Sequence, residues 1–202
     1  MNVRLQYDVD FLAGIYFEGN LQINSYDVVM SLETNTNDTV RINIAMERLK
    51  AFIHSELANV VFINREHENE AELLQALGVN ICTLPEEPVD QIIGLMLYCK
   101  LNSIMEGQLE IVSLDIKSSL GDDVWYQHNE DESMGPFERD GWWHKNNTQK
   151  ETLDPDGTPE NVVKVQSTGW KEYGLDWPEE TKENNTKIIY PKFKRDENEQ
   201  TR

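Results

Sequence analysis

The run from Pro88 to Gly107, PVDQIIGLMLYCKLNSIMEG, limits what this chain can fold into more than any other stretch. Apolar side chains at Val89, Ile92, Ile93, Leu95, Met96, Leu97, Tyr98, Cys99, Leu101, Ile104 and Met105 cover more than one helical face. A helix at a protein surface shows one apolar stripe, so this pattern predicts a helix enclosed on most sides. Pro88 suits a first helical position, where a missing N–H costs nothing, and Gly107 suits a left-handed stop. At about 20 residues, or ~30 Å, the helix is long enough to cross a small domain. Asp90, Gln91, Lys100, Asn102 and Ser103 argue against a membrane span.

The chain before this helix reads as alternating strands and helices. From Asn2 to Phe11, Val3, Leu5, Tyr7 and Val9 alternate with Arg4, Gln6, Asp8 and Asp10, the pattern of a strand with one wet face. Gly14–Phe17 and Leu21–Leu32 are strand-like, with a hairpin turn at Gly19-Asn20 between them. Asn37 or Asp38 caps a helix running to about Asn59. Val60–Ile63 is a short buried strand, Glu70–Leu77 a helix stopped by Gly78, and Val79–Leu84 another strand. After the central helix, Leu109–Lys117 alternates again. The expected fold is α+β: a mixed, largely antiparallel sheet with helices around a buried central helix, followed by an extended irregular C-terminal arm. The expected domains are a core over residues 1–119 and a polar, Trp-bearing arm over 120–202.

That boundary rests on composition. The last 83 residues hold only ten Ile, Leu, Val and Met, too few for a second core, yet they carry all five tryptophans and five of the seven prolines. Regular-looking pieces there are Val124–His128, Asn161–Gln166 and Lys187–Tyr190. Aromatic residues along a polar arm are suited to anchoring it on another surface, so Trp125, Tyr126, Trp142, Trp143, Trp170 and Trp177 are the expected partner-binding residues, with the Trp142-Trp143 pair at the energetic centre.

A net charge of −19 excludes sequence-independent phosphate binding, since the densest basic group is only Lys192, Lys194 and Arg195. Acidity of this kind serves solubility, a basic partner, or mimicry of DNA's charge. Stacking of single-stranded bases on Trp125-Tyr126 or Trp142-Trp143 would need a positive groove, and their flanks are acidic. The start, MNVRLQYDVDF, has no basic segment followed by an apolar run, so no signal peptide is expected. Cys82 and Cys99 lie in apolar company and read as buried thiols of a reducing compartment.

ICTLPEEPVDQIIGLMLYCKLNSIMEG, followed by LGDDVWYQH and GWWHK, resembles small acidic proteins of large tailed phages of the T4-like marine type, over the chain through about Lys145. The resemblance implies a viral protein in the host cytoplasm or the virion, acting in assembly or host takeover. It brings no catalytic motif and no site residues.

Catalytic patterns are few. Asp8-Val9-Asp10 resembles the D-x-D of haloacid-dehalogenase phosphatases, with Gly121-Asp122-Asp123 as a second acidic element. That chemistry wants a strand apolar on both faces, and this one alternates. His54, His67, His128 and His144 share no metal-type spacing, and the cysteines are far from them in sequence. The Asp154–Glu160 stretch lacks the third acid and the spacing of a calcium loop. Phosphate-loop, dinucleotide and nucleophile-elbow motifs are absent. The expected function is therefore a non-enzymatic binding or assembly protein, with a protein partner or self-assembly through the aromatic arm. No catalytic residue, metal, cofactor or membrane contact is expected. The alternatives are an acidic regulator or inhibitor of a host DNA-binding protein, and a divalent-metal phosphohydrolase or nuclease using Asp8 and Asp10.

Overall fold

A computed structural model describes residues 3–129, 135–137 and 170–178 of the chain. Six strands form one mixed sheet: β1 (Arg4–Phe17), β2 (Asn20–Thr34), β3 (Val61–Asn64), β4 (Ile81–Leu84), β5 (Leu109–Ser118) and β6 (Tyr126–Asn129). Their order across the sheet is β4-β3-β1-β2-β5-β6. β1, β3 and β4 run parallel to one another, while β1–β2, β2–β5 and β5–β6 are antiparallel. The helices are α1 (Thr39–Ala51), continued by a π-helical turn over Phe52–Leu57, α2 (Glu68–Ala76) and α3 (Asp90–Met105). The fold is α+β, as the residue pattern predicts.

Gly14–Phe17 does not form a strand of its own. β1 runs unbroken from Arg4, because the inward row Leu5, Tyr7, Val9, Phe11, Ala13, Ile15 keeps its phase throughout. The hairpin turn falls one residue earlier than expected, on Glu18 and Gly19, both at positive φ (49° and 78°) as a two-residue type I′ turn requires. In β5 the apolar residues change phase: Leu109 and Ile111 face the core, and so do Leu114 and Ile116. A bulge makes this possible, since Ser31 pairs with Ser113 and Leu32 with Ile111, leaving Val112 as the extra residue.

α3 is enclosed as its composition demands, with Ile93, Met96, Leu97, Leu101, Ile104 and Met105 buried in the main core. It lies so close to the sheet at Gly94 that a Cβ there would sit 2.6 Å from His128 Nε2 on β6 and 2.6 Å from Ile116 Cγ2 on β5. Val89 is its N-cap, one residue beyond Pro88. Its left-handed stop falls on Glu106 (φ 49°) as well as Gly107 (φ 71°). The cap of α1 is Asp38, whose side chain accepts hydrogen bonds from the N–H groups of Val40 and Arg41. A second, smaller core of Val61, Ile63, Ala71 and Ile81, flanked by Tyr16, Leu74 and Val79, holds α2 against the sheet apart from the main core. All four residues of β3 are consequently buried, as in a strand covered on both faces. No helix among the described residues is long and apolar enough to cross a membrane.

Residues 170–178 dock on the ends of α1 and α3. Trp170, 5% exposed, is part of the main core, and Leu175 and Trp177 pack against it. Arg48, 2% exposed, organises this corner. Its Nε donates to Leu175 O (2.9 Å), and one terminal nitrogen donates to Ile104 O (3.3 Å) and Glu106 Oε1 (2.8 Å). Its guanidinium carbon lies 4.0 Å from the Trp177 ring centre and 5.1 Å from that of Trp170. Trp177 Nε1 donates to Glu106 Oε2 (2.7 Å), and the Tyr173 hydroxyl to Glu56 Oε1 (2.9 Å). Burial lowers the Arg48 pKa, and the Glu106 hydrogen bond and charge oppose that shift.

Replacing Arg48 with Met keeps the bulk and removes the donors. Breaking a buried pair typically costs 3–5 kcal/mol; here Glu106 is partly exposed and recovers hydration, so the expected loss is about 3 kcal/mol. Chemical denaturation should show that loss, accompanied by a red shift in tryptophan emission as Trp177 is released. A variant with unchanged stability and emission would show that the corner is held by packing alone.

Candidate functional site

β3, α2 and β4 form a parallel strand–helix–strand unit, and polar side chains meet at the carboxyl ends of its strands. Clefts at such ends are the usual ligand positions of parallel sheets. Asn64 closes β3 and is buried. Its Oδ1 accepts from Glu66 N (3.0 Å) and its backbone carbonyl from His67 N (3.0 Å), which turns the chain into α2 with His67 as N-cap. Its Nδ2 donates to Glu87 Oε1 (3.0 Å), in the connection from β4 to α3. His67 Nε2 lies 3.4 Å from the same oxygen. The Tyr16 ring, near the end of β1, meets the imidazole edge to face, with ring centres 5.4 Å apart.

One glutamate oxygen therefore accepts from an amide and lies beside an imidazole nitrogen. The other, Glu87 Oε2, is buried and has no hydrogen-bond partner among the described residues. Buried acceptors are almost always satisfied, so such an oxygen calls for a further donor. His67 and Glu87 are themselves half-buried, so solute reaches them. A carboxylate that orients an imidazole is the arrangement of general acid–base chemistry.

Other ionisable groups lie apart from this cluster. Asp90, in the first turn of α3, accepts from the Ser118 hydroxyl (2.8 Å); burial raises its pKa, and the hydrogen bonds from Ser118 oppose that. The Tyr26 hydroxyl is buried without a hydrogen bond; Asn24 is its polar neighbour but falls short of bonding geometry. Burial raises the Tyr26 pKa strongly. Cys82 and Cys99 are buried free thiols, each pushed up to about 12 by burial, so neither forms a thiolate near neutral pH. Burial brings Lys100 down to about 8, with Cys82 acting in the opposite sense. An amine this basic would be a usable nucleophile, but at 2% exposure it is closed to substrate.

The residues singled out in the sequence are scattered. Asp8 and Asp10 are exposed on the outer face of the sheet, and Asp122 and Asp123 in the turn after β5. Trp125 is exposed, with Lys117 Nζ 5.0 Å from its ring centre. Tyr126 begins β6 and packs partly on the core. Trp170 and Trp177 are engaged by Arg48 of their own chain, and Trp142 and Trp143 lie outside the described residues. Among the described residues no three His, Cys, Asp or Glu are placed to hold a metal ion. The sequence singles out neither Asn64 nor Glu87, and His67 enters there only as a histidine without metal-type spacing. The available signal was the pair of apolar runs VVFIN and ICTL around an amphipathic helix, which marks a parallel unit whose carboxyl ends carry these residues.

No family model matches the chain, and no curated protein does. Among solved structures, similar ones include an uncharacterized protein from Wolinella succinogenes (TM-score 0.46, 12% identity, 65% of this chain and 99% of that one). Others are the 6-pyruvoyltetrahydropterin synthases of Plasmodium vivax (TM-score 0.41, 12% identity, 64% and 99%) and Plasmodium falciparum (TM-score 0.42, 12% identity, 64% and 98%). Against the expectation of a non-enzymatic binding or assembly protein, the neighbours with a named activity are enzymes. The likeness is one of architecture and assigns no activity to this chain.

The Lys100 shift has a pH signature. Below about pH 8 the amine is charged in both folded and unfolded chains, and the folded state carries the full cost of burying it. Between about 8 and its ordinary 10.5 the unfolded chain binds the extra proton, so stability rises with pH; above 10.5 the cost is gone. The two cysteines work the other way at high pH, so the comparison is with Lys100→Met, which retains them. From pH 8 to 10 the wild type should gain on that variant by up to about 1.4 kcal/mol per pH unit in urea denaturation. A pH-independent difference would place the amine in contact with water.

Proposed function

We propose that the chain is an acid–base enzyme acting on a small polar substrate at the carboxyl ends of β3 and β4. The observation that supports this reading is the Glu87 carboxylate, with Oε1 shared by Asn64 and His67 and Oε2 buried and unpartnered among the described residues. In this reading a substrate N–H or O–H donates to Oε2 and is thereby placed beside the imidazole. His67 moves the proton, Glu87 orients the ring and steadies its charged form, and Asn64 holds the carboxylate in place. Tyr16 limits tilting of the ring through its edge contact. Asn64 is a positioning residue, and Glu87 and His67 are the groups that meet substrate.

The test compares wild type, His67→Ala and Glu87→Gln in ester hydrolysis and in solvent-proton exchange α to a carbonyl, two reactions that respond to general acid–base catalysis. The expected result is a wild-type rate above buffer that falls by about 10²-fold or more in either variant, with thermal stability retained. Equal rates for wild type and both variants in every assay would overturn the reading.

A further inference from the structure

Among the described residues, the edge of β1 over Arg4–Asp10 lacks a neighbouring strand. β1 pairs with β3 only from Gly14 to Tyr16, and no strand among the described residues lies alongside the earlier part. Backbone alternation fixes which groups face that edge. Val3 O accepts from Thr34 N on β2, so odd residues bond towards β2. Gly14 N donates to Val60 O and Leu12 O accepts from Asn59 N, so even residues point the other way. The N–H and C=O groups of Arg4, Gln6, Asp8 and Asp10 therefore line the open edge. Burial marks the same boundary: in the inward row, Phe11, Ala13 and Ile15 are buried, whereas Leu5, Tyr7 and Val9 are only half-buried. Among the described residues, the core under this part of β1 lacks a lateral neighbour.

We propose that this edge pairs with β1 of a second copy of the chain, antiparallel and centred on Tyr7, so that two sheets join across a two-fold axis. An antiparallel partner must place even residues opposite even ones, which leaves few registers. Centring on Tyr7 sets Arg4 opposite Asp10 and Gln6 opposite Asp8, each twice, and uses every open backbone group. It also sets Leu5 against Val9 and Tyr7 against Tyr7 over the half-buried row. Centring on Asp8 would oppose two aspartates, and centring on Gln6 would leave Asp10 beyond the pairing of residues 4–8. Acids on an edge often serve to block pairing. Here they meet a cation and an amide of the second copy.

The charges across the sheet fit the same arrangement. Asp10 sits directly opposite Asp27 of β2, an unfavourable like-charge pair, and Asp27 is relieved on its far side by Lys117 (3.4 Å). Arg4 of the second copy would supply the missing cation beside Asp10. Arg4 is itself exposed and bound to Glu33 (2.6 Å), so the row reads Lys117, Asp27, Asp10, then Arg4 and Glu33 of the other copy. The overall charge of −19 opposes association, but beyond about 8 Å it is screened at physiological salt, while the pairs in this row are in contact.

Light scattering of the full chain at micromolar concentration in physiological salt should give twice 23.4 kDa. Arg4→Asp alone and Asp10→Arg alone should each return the single-chain mass, and the two together should restore the dimer. Register is read separately: Tyr7→Cys should cross-link to itself under mild oxidation, because a non-hydrogen-bonded pair brings Cα atoms to ~4.5 Å. Leu5→Cys alone should not, and Leu5→Cys with Val9→Cys should. A wild-type chain at single-chain mass, a charge swap that fails to restore pairing in a folded protein, or self-cross-linking at Leu5→Cys would overturn the proposal.

Discussion

The guanidinium of Arg48 is a full charge at 2% exposure, and the corner where three segments meet depends on how that charge is accommodated. α1 supplies it, the end of α3 supplies a carbonyl and a carboxylate, and residues 170–178 supply a carbonyl and two indole faces. The acceptors come from two segments far from α1 in sequence, so the charge is satisfied only when all three segments are in place. The same contact explains the end of α3. A left-handed Glu costs about 1–2 kcal/mol relative to Gly, yet Glu106 occupies the position because its carboxylate is held by Arg48 and by Trp177. A glycine there would relax the backbone and leave the guanidinium without its counter-charge.

Away from that corner the sheet divides into two regimes. From β2 to β6 it is antiparallel, with apolar residues inward and polar ones outward. From β1 to β4 it is parallel, with the main core on one face and α2 with its own small core on the other. The division positions the candidate site. Only at the parallel end do successive strands finish on one side, so that the loops after β3 and β4 converge and bring Asn64, His67 and Glu87 together.

Much of this was legible in the residues. The all-round apolar character of Pro88–Gly107 led directly to a buried central helix, and the cap of α1 was narrowed to Asn37 or Asp38, because a short polar side chain before an apolar-periodic segment meets orphan N–H groups; Asp38 is the one that caps. What was not legible depended on pairing. The phase change between Ile111 and Leu114 looks like broken alternation until a bulge at Val112 opposite β2 restores it. The break read between Phe11 and Gly14 vanishes because β2 pairs with β1 along its whole length. The site was hidden for the same reason: Asn64 and Glu87 are 23 residues apart in sequence and touch only because two strands are parallel and in register. Histidine spacing along the chain carries no trace of that. The tryptophans stood out through composition, which is blind to direction and so could not tell an indole that meets its own Arg48 from one that meets another molecule.

β1 bears on both the candidate site and the open edge, and its length keeps them apart. Tyr16 lies nine positions beyond Tyr7, which at ~3.3 Å per residue is roughly 30 Å along the strand. A two-fold axis at Tyr7 would therefore carry the two sites to opposite ends of a joined sheet, about 60 Å from each other. Neither copy could contribute a side chain to the other's Asn64–His67–Glu87 group, so each site is complete within one chain. Pairing would act on the core instead, by covering Leu5, Tyr7 and Val9 and relieving Asp10. Its contribution would belong to stability and assembly, while the proposed proton chemistry would depend on the loops at the far end of the same strand.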